Sequence, residues 1–171
     1  HRNILLAEDN DLNAEIAIEL LKMKGASVCR AENGKRAVEL FMESSPGTYQ
    51  AILMDIQMPV MNGMEVLEQR KNDPVFENIP VIVITVNDEI RDQMVAFQLG
   101  ATDYITKPFI REIVIYRINN VLSSKRRVEA IVREKENLQI QTELDLMTGL
   151  YNKVTAERII SGLLADNSRL N

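Results

Sequence analysis

The residues that could carry out chemistry in this 171-residue sequence stand at the ends of apolar segments. They offer three carboxylates, one hydroxyl and one amine: Glu8, Asp9, Asp55, Thr85 and Lys107. Ionised carboxylates that lie close together repel one another unless a cation separates them. Oxygen ligands without His or Cys favour Mg²⁺, Mn²⁺ or Ca²⁺. An amine and a hydroxyl beside such a cation are suited to hold the oxygens of a phosphoryl group.

Asp55 is the candidate nucleophile of this set. It follows the apolar run AILM at residues 51–54, which predicts a strand buried on both faces. A carboxylate at the end of a buried strand is costly to bury, and in an open α/β sheet this end faces the crevice where ligands bind. Such a carboxylate can form an aspartyl phosphate. Taken alone, Asp55 could equally be a turn residue at a strand end.

The elements that would position these residues alternate between strand and helix five times. Strands are predicted at about residues 4–7, 27–31, 51–54, 81–86 and 103–106, with helices at about 11–24, 35–43, 63–72, 88–99 and from 110 onward. This order predicts a parallel sheet with helices on both faces and right-handed crossovers. Because the carboxyl ends of parallel strands open on one edge of the sheet, the five polar residues would converge there.

Apolar spacing predicts which helix faces pack against the sheet and where the helices end. In the helix at about residues 35–43, the buried stripe would consist of Ala37, Val38, Phe41 and Met42. The next helix would end at Asp73-Pro74, because the residue before a proline disfavours helical backbone.

Composition excludes several classes of protein. The net charge of -5 argues against a general nucleic-acid surface. One cysteine, Cys29, excludes an internal disulfide and fits a reducing compartment, and one histidine, His1, excludes a histidine metal cluster or triad. No apolar stretch reaches the about 18–20 residues of a membrane-spanning helix, and no signal peptide is evident. We expect a cytoplasmic protein without membrane or nucleic-acid partners.

Residues 1 to about 122 resemble a receiver domain of the response regulators of two-component signalling. The resemblance rests on LAEDN at 6–10, MDIQMP at 54–59, Asn62-Gly63, Thr85 and DYITKPF at 103–109. It implies a flavodoxin-like, doubly wound, five-stranded parallel sheet in the order 2-1-3-4-5. It also implies a phosphorylation switch, with no enzyme activity beyond self-catalysed phosphoryl transfer and autodephosphorylation.

The resemblance assigns roles around Asp55. Asp55 would accept a phosphoryl group from a sensor histidine kinase or a histidine phosphotransfer protein, and Lys107 would pair with that group. Mg²⁺, for which Mn²⁺ can substitute, would be bound directly by Asp9, Asp55 and the backbone carbonyl of Gln57. Glu8 would act on the ion through water, and it stands where Asp is more frequent in the family.

Further roles concern the last two strands. The resemblance implies that Thr85 and Tyr104 swing towards the phosphoryl group as switch residues, although Tyr104 could equally be a half-exposed packing ring. Lys107-Pro108 would be a cis peptide. Val86 stands where the family usually has a small residue. We expect its bulk to restrict access and to slow both phosphorylation and dephosphorylation.

The fifth predicted helix has no clear stop signal. Its continuation at 123–136, SSKRRVEAIVREKE, is dense in charge, while Ile118, Val121, Val128 and either Ile131 or Val132 keep roughly heptad spacing. A helix from 110 to 144 would be about 50 Å long. It could be a solvated linker stabilised by local charge pairs, or one strand of a parallel coiled coil that makes a homodimer. We expect the receiver domain at 1–122 and a helical linker at 123–144.

The tail carries a second resemblance. ELDLMTGLYNK at 143–153 resembles the amino-terminal signature of GGDEF diguanylate cyclase domains, with Met147 in place of Leu and Lys153 in place of Arg. Residues 145–171 would then be the truncated start of an output domain, ending before its active-site loop. This implies that the full-length parent is a diguanylate cyclase that makes cyclic di-GMP.

Other classes explain less of the sequence. Haloacid-dehalogenase phosphatases need a second Asp two residues after the nucleophile, where Gln57 stands. The P-loop pattern GxxxxGK[ST] does not occur. A flavin binder of the same fold would leave the acids unexplained. The alternative function is a pseudo-receiver that is not phosphorylated and serves as a protein–protein interaction or dimerisation module.

Overall fold

Five parallel strands form one sheet, in the order β2-β1-β3-β4-β5, in the computed structural model of the chain. The structure describes residues 2–86, 90–143, 150–157 and 159–160. The strands are β1 (Arg2–Ala7), β2 (Ala26–Ala31), β3 (Ala51–Asp55), β4 (Val81–Thr85) and β5 (Asp103–Thr106). The helices are α1 (Asp11–Lys22), α2 (Gly34–Met42), α3 (Gly63–Arg70), α4 (Pro74–Glu77), α5 (Ile90–Gln98) and α6 (Arg111–Glu143).

The sheet separates two apolar layers, because successive side chains of a strand point to opposite faces. Leu5 and Ile52 lie in the layer that also contains buried residues of α2, α3, α4 and α5. Leu6 and Leu53 lie in the layer that contains buried residues of α1 and α6. Helices therefore cover both faces, and the predicted flavodoxin-like fold is confirmed.

The stripe predicted on α2 is partly wrong. Ala37, Val38 and Phe41 are buried, whereas Met42 is 49% exposed. Successive helical residues are about 100° apart around the axis. Met42 is therefore turned well away from Phe41, and an apolar residue at the edge of a stripe is not necessarily buried.

The sequence prediction also missed α4. Asp73 does not simply end the preceding helix, because its carboxylate accepts hydrogen bonds from the backbone N–H groups of Val75 and Phe76, both at 2.8 Å. Asp followed by Pro is the pattern of an N-cap and a first helical residue. The single turn buries Phe76 completely, with its ring stacked on Phe41 at a centroid distance of 4.4 Å.

The last helix begins in the core and continues beyond it. Val114, Ile118, Val121 and Leu122 are buried, and α6 runs on to Glu143, which confirms the expected extended C-terminal helix. Contacts divide the chain into the units His1–Lys125 and Arg126–Asn171. The boundaries expected at 122 and 144 stay predictions.

The tail is described only in part. Residues 144–149, which carry most of the second signature, lie outside the described residues. Asn152 caps a helical turn at 153–157, since its side chain accepts a hydrogen bond from the N–H of Thr155 at 2.9 Å. Within the part of the chain that is described, no helix is both long and apolar enough to cross a membrane.

Candidate functional site

Four neighbouring strands end beside one another at the carboxyl edge of the sheet. In the strand register, Ala7 pairs with Met54, Asp55 with Ile84, and Thr85 with Thr106. This pairing brings to one edge all five polar residues that the sequence singled out: Glu8, Asp9, Asp55, Thr85 and Lys107.

The three carboxylates form one cluster. An oxygen from each of Glu8, Asp9 and Asp55 lies within 4.8 Å of the other two. Glu8 is completely buried and Asp55 is 4% exposed, whereas Asp9 faces solvent. The cluster is therefore buried at Glu8 and Asp55 and accessible to solvent at Asp9. Its candidate ligand atoms are all oxygen, as Mg²⁺ prefers.

The ammonium group of Lys107 lies between the two buried acids. It is 2.5 Å from Asp55 Oδ2 and 2.8 Å from Glu8 Oε2. Burial alone would lower the pKa of Lys107, but hydrogen bonds and charges from Asp55 and Glu8 outweigh this effect and raise the pKa above its ordinary value. Lys107 is therefore a cation at neutral pH, and its peptide bond to Pro108 is cis.

Glu8 is the fully buried acid of the cluster. Burial raises its pKa, as does the charge of Asp55, while Lys107 and Asn13 oppose the rise. Its Oε1 accepts hydrogen bonds from the Asn10 N–H and the Asn13 side chain, both at 3.3 Å. Its buried Oε2 touches Lys107 but accepts no hydrogen bond from a described residue. This acceptor could serve water on a cation, so the residues present fit a hydrated Mg²⁺ ion.

The loop after β3 folds tightly against Asp55. The Gln57 N–H donates a hydrogen bond to Asp55 Oδ1 at 3.1 Å. A Cβ at Gly63 would lie 2.4 Å from the carbonyl oxygen of Asp55, so only glycine fits where α3 begins. Gly63 is therefore required by the close approach of α3 to the site, and Asn62 supplies the N-cap of that helix.

Thr85 and Val86 stand where β4 leaves the sheet. Thr85 is buried, and its carbonyl accepts a hydrogen bond from the Lys107 N–H at 2.8 Å. Val86 follows it and is 53% exposed. This hydrogen bond thus joins the backbone of Lys107, just after β5, to the end of β4 at Thr85.

The Tyr104 ring on β5 packs against Phe97 and Arg117. It meets Phe97 edge-on at a centroid distance of 6.0 Å, and the Arg117 guanidinium lies 4.7 Å from its centroid. Arg117 also forms an ion pair with Asp103. Sequence reasoning missed Arg117, because its partners lie in another element and no local pattern marks them. The predicted switch role of Tyr104 stays a prediction.

Arg30 was also missed. It lies on β2 and bonds to the backbone of the loop that carries Glu8 and Asp9. The only sequence signal was a charged residue inside the short strand predicted at 27–31.

Comparisons with known proteins agree with this geometry. The family model of the response regulator receiver domain matches residues 4–119. Protein PilH of Pseudomonas aeruginosa is 35% identical over 120 residues, which are 70% of this chain and 97% of PilH. The aerobic respiration control sensor protein ArcB of Escherichia coli K12 is 29% identical over 164 residues, which are 95% of this chain and 21% of ArcB. The chain thus spans about a fifth of the length of that relative.

A solved structure adds a bound ion. The receiver domain of the sensor histidine kinase PA1611 from Pseudomonas aeruginosa PAO1 is 29% identical and has a TM-score of 0.65. The match covers 71% of this chain and 98% of that one, which holds a magnesium ion in its active-site cleft. From the family match over most of its length, together with the acid cluster and sheet order, this chain belongs to the response regulator receiver domain family of two-component signalling.

Proposed function

We propose that the chain is a phosphorylation switch whose phosphoryl acceptor is Asp55. The observation that carries this proposal is the surroundings of that carboxylate. Asp55 is buried, its Oδ2 is 2.5 Å from the Lys107 ammonium, and it shares a 4.8 Å cluster with Glu8 and Asp9. A purely structural aspartate at a strand end needs neither the lysine nor the other two acids.

The same residues would hold a divalent cation. Asp9, Asp55 and the backbone carbonyl of Gln57 would bind Mg²⁺, or Mn²⁺ in its place, and Glu8 would bind water on the ion. The bound ion would offset negative charge as a phosphoryl group approaches the acids. The all-oxygen donors of the cluster support this assignment.

In the transfer step, a carboxylate oxygen of Asp55 attacks the phosphorus of a phosphohistidine on a kinase or phosphotransfer partner. A phosphorus–oxygen bond forms as the phosphorus–nitrogen bond breaks, and its electron pair stays on the imidazole nitrogen. Lys107 is already in contact with Asp55 and would pair with a phosphoryl oxygen. Thr85, at the end of the adjacent strand, would donate its hydroxyl to another.

The response would travel from the site towards α6. Thr85 would move towards the phosphoryl group, and Tyr104 would leave its place between Phe97 and Arg117. Because Arg117 belongs to α6, a change in the ring would be felt by that helix. Such a change shifts a two-state equilibrium only if the phosphoryl group favours one state.

We further propose an output beyond the receiver domain. The output would be a cytoplasmic diguanylate cyclase, which makes cyclic di-GMP, and α6 would lead to it. The order would be a receiver at 1–122, a helical linker at 123–144 and a truncated GGDEF start at 145–171. Val128 and either Ile131 or Val132, all exposed on this helix, keep roughly the heptad spacing of a parallel homodimer. The support for the output domain is the sequence signature at 143–153.

The acceptor is tested by intact-mass measurement after incubation with acetyl phosphate and Mg²⁺. We expect the native chain to gain one phosphoryl group and Asp55→Asn to gain none. Asp73→Asn is the matched control, because it removes an acid elsewhere while keeping the N-cap of α4. Labelling of Asp55→Asn at the native rate would reject the acceptor. A native chain that never takes up the group would favour the pseudo-receiver.

The homodimer is tested by sedimentation of the chain with and without beryllium trifluoride, a phosphoryl analogue. We expect the analogue to change self-association of the native chain and Ile131→Gln to weaken it. Glu129→Gln, on the same helix, is the matched control. Identical sedimentation of the native chain and Ile131→Gln would show that the linker does not mediate self-association.

A further inference from the structure

Arg30 makes two contacts with the loop between β1 and α1 and one with the first residue of α1. Its Nε donates a hydrogen bond to the carbonyl oxygen of Glu8 at 3.1 Å, and its Nη2 donates one to the carbonyl oxygen of Asp9 at 3.2 Å. Its Nη1 lies 2.8 Å from Asp11 Oδ1. One side chain therefore binds three residues in the segment that supplies two of the clustered acids.

The fold places Arg30 there through strand pairing. Arg30 pairs with Leu6 in the parallel register of β1 and β2, and the Glu8 N–H donates to the carbonyl of Ala31 at 3.1 Å. The chain therefore leaves β1 directly beside the end of β2. The planar guanidinium group presents its donors in a fixed fork, which can bind several oxygens in one plane.

The helix dipole and a bound divalent cation both disfavour a positive charge at this position, whereas the clustered acids attract it. The loop leads into the amino terminus of α1, whose dipole repels positive charge. A divalent cation bound by the nearby acids would be repelled as well. The ion pair offsets little, because Asp11 is 95% exposed and Arg30 only 26%. Because these charge effects oppose one another, the two directional hydrogen bonds to carbonyl oxygens are the contribution that is specific to arginine at this position.

We propose that Arg30 is a positioning residue for the divalent-cation site, an inference that rests on the proposed function. By holding the carbonyls of Glu8 and Asp9, it fixes the backbone from which both carboxylates project. The exposed Asp9 needs this most, because no described protein contact holds its carboxylate in place. The guanidinium thus lowers the entropic cost of ordering the loop when a cation binds. This gain outweighs the repulsion between the guanidinium charge and the cation.

Two substitutions separate positioning from charge. Arg30→Lys keeps the charge and loses the fork, whereas Arg30→Gln loses both. If Arg30 positions the loop, Mg²⁺ affinity of the whole chain, measured by isothermal titration calorimetry, falls in both variants by about tenfold. If Arg30 acts only through charge, Arg30→Gln binds Mg²⁺ more tightly and Arg30→Lys is unchanged, which would overturn the proposal.

Arg36→Lys and Arg36→Gln are the matched controls. Arg36 also forms ion pairs, with Glu39 on α2 and with Glu43 just after that helix, and its loss should leave Mg²⁺ affinity unchanged. A second readout is the rate of labelling by acetyl phosphate. The defect of the Arg30 variants should disappear at saturating Mg²⁺, and a defect that persists there would overturn the proposal.

The outcomes for this inference and for the proposed function are distinguishable. Native binding of Mg²⁺ together with native affinity in both Arg30 variants overturns the positioning role alone. A native chain that binds no Mg²⁺ in the titration overturns the cation site and the positioning role together. Thermal unfolding without Mg²⁺ shows whether the variants are folded before either result is interpreted.

Discussion

Two cationic side chains, Arg70 buried and Lys107 largely buried, lie at opposite edges of the sheet and have different kinds of partner. Lys107, at the carboxyl edge, contacts two carboxylates. Arg70, at the amino edge, donates hydrogen bonds to the backbone carbonyls of Glu77, Ile79 and Gly100, which precede β4 and β5. Both edges thus bury a positive charge, one against ionised side chains and the other against the backbone.

The difference appears in the direction of the pKa shifts. Burial lowers the pKa of Arg70, with the charge of Glu77 opposing it only in part. The pKa of Lys107 is raised in spite of burial, because two carboxylates stabilise its charge. Backbone carbonyls are fixed and cannot be exchanged, so Arg70 is a cross-link between α3 and the starts of two strands. Carboxylates can bind a competing cation or a phosphoryl group, so the lysine edge can change its partners.

The largest effect on stability is expected from Arg70→Met. Three carbonyls lose their donor, and each buried polar group left unpaired costs about 1–3 kcal/mol, so we expect a total loss of at least about 3 kcal/mol. Urea unfolding measures it, with Arg36→Met as the surface control. Mg²⁺ should not restore the loss. Restoration by Mg²⁺ would show that the two edges do not differ as we describe.

Lys107→Met should cost less, about 1–2 kcal/mol, in buffer without divalent ions. Glu8 and Asp55 lose their cation, but Glu8 can take up a proton and so relieve the repulsion. Unlike the Arg70 loss, this one should be largely recovered when Mg²⁺ is added, because the ion replaces the missing charge. The same urea titration with and without Mg²⁺ checks it. An equal loss under both conditions would contradict an exchangeable lysine edge.

Glu8→Gln should change the pH dependence of stability in metal-free buffer. Because the folded protein raises the pKa of Glu8 above its ordinary 4.5, it binds more protons than the unfolded chain above that pH. The contribution of Glu8 to stability is thus present below about pH 4.5 and is lost as pH rises through the folded pKa. The variant should gain stability relative to the native chain across this window.

The measurement is urea unfolding of both chains at several pH values. Glu39→Gln, on the surface of α2, is the control for removing a carboxylate. A stability difference between Glu8→Gln and the native chain that is independent of pH would show that burial does not disfavour the Glu8 charge.

The smallest effect on stability is expected from Val86→Ala. Val86 is half exposed, so the free energy of unfolding should change by about 0.5 kcal/mol or less. If its bulk restricts access to Asp55, phosphorylation and dephosphorylation should both become faster. Time courses with acetyl phosphate measure the two rates, with Val75→Ala as a control of similar exposure. Unchanged rates would reject a gating role.

Sequence patterns predicted the sheet and the members of the site because both follow from local features. Continuous apolar runs mark strands buried on both faces, and parallel strands bring their ends to one edge. Predictions failed where one residue had to be assigned to the buried or the exposed face of a helix. They also failed where an element was too short to show a periodic apolar pattern. Met42 and α4 are those two cases.

The sequence by itself determined the order of the elements, the polar residues at the strand ends and the family to which they belong. Only the tertiary structure decided what Arg30, Arg70 and Arg117 contact. Arg30 reaches a carbonyl 22 positions away, and Arg70 one 30 positions away. Apolar periodicity reports which face of an element is buried, whereas a hydrogen bond depends on distances of about 3 Å that are set only when the elements pack.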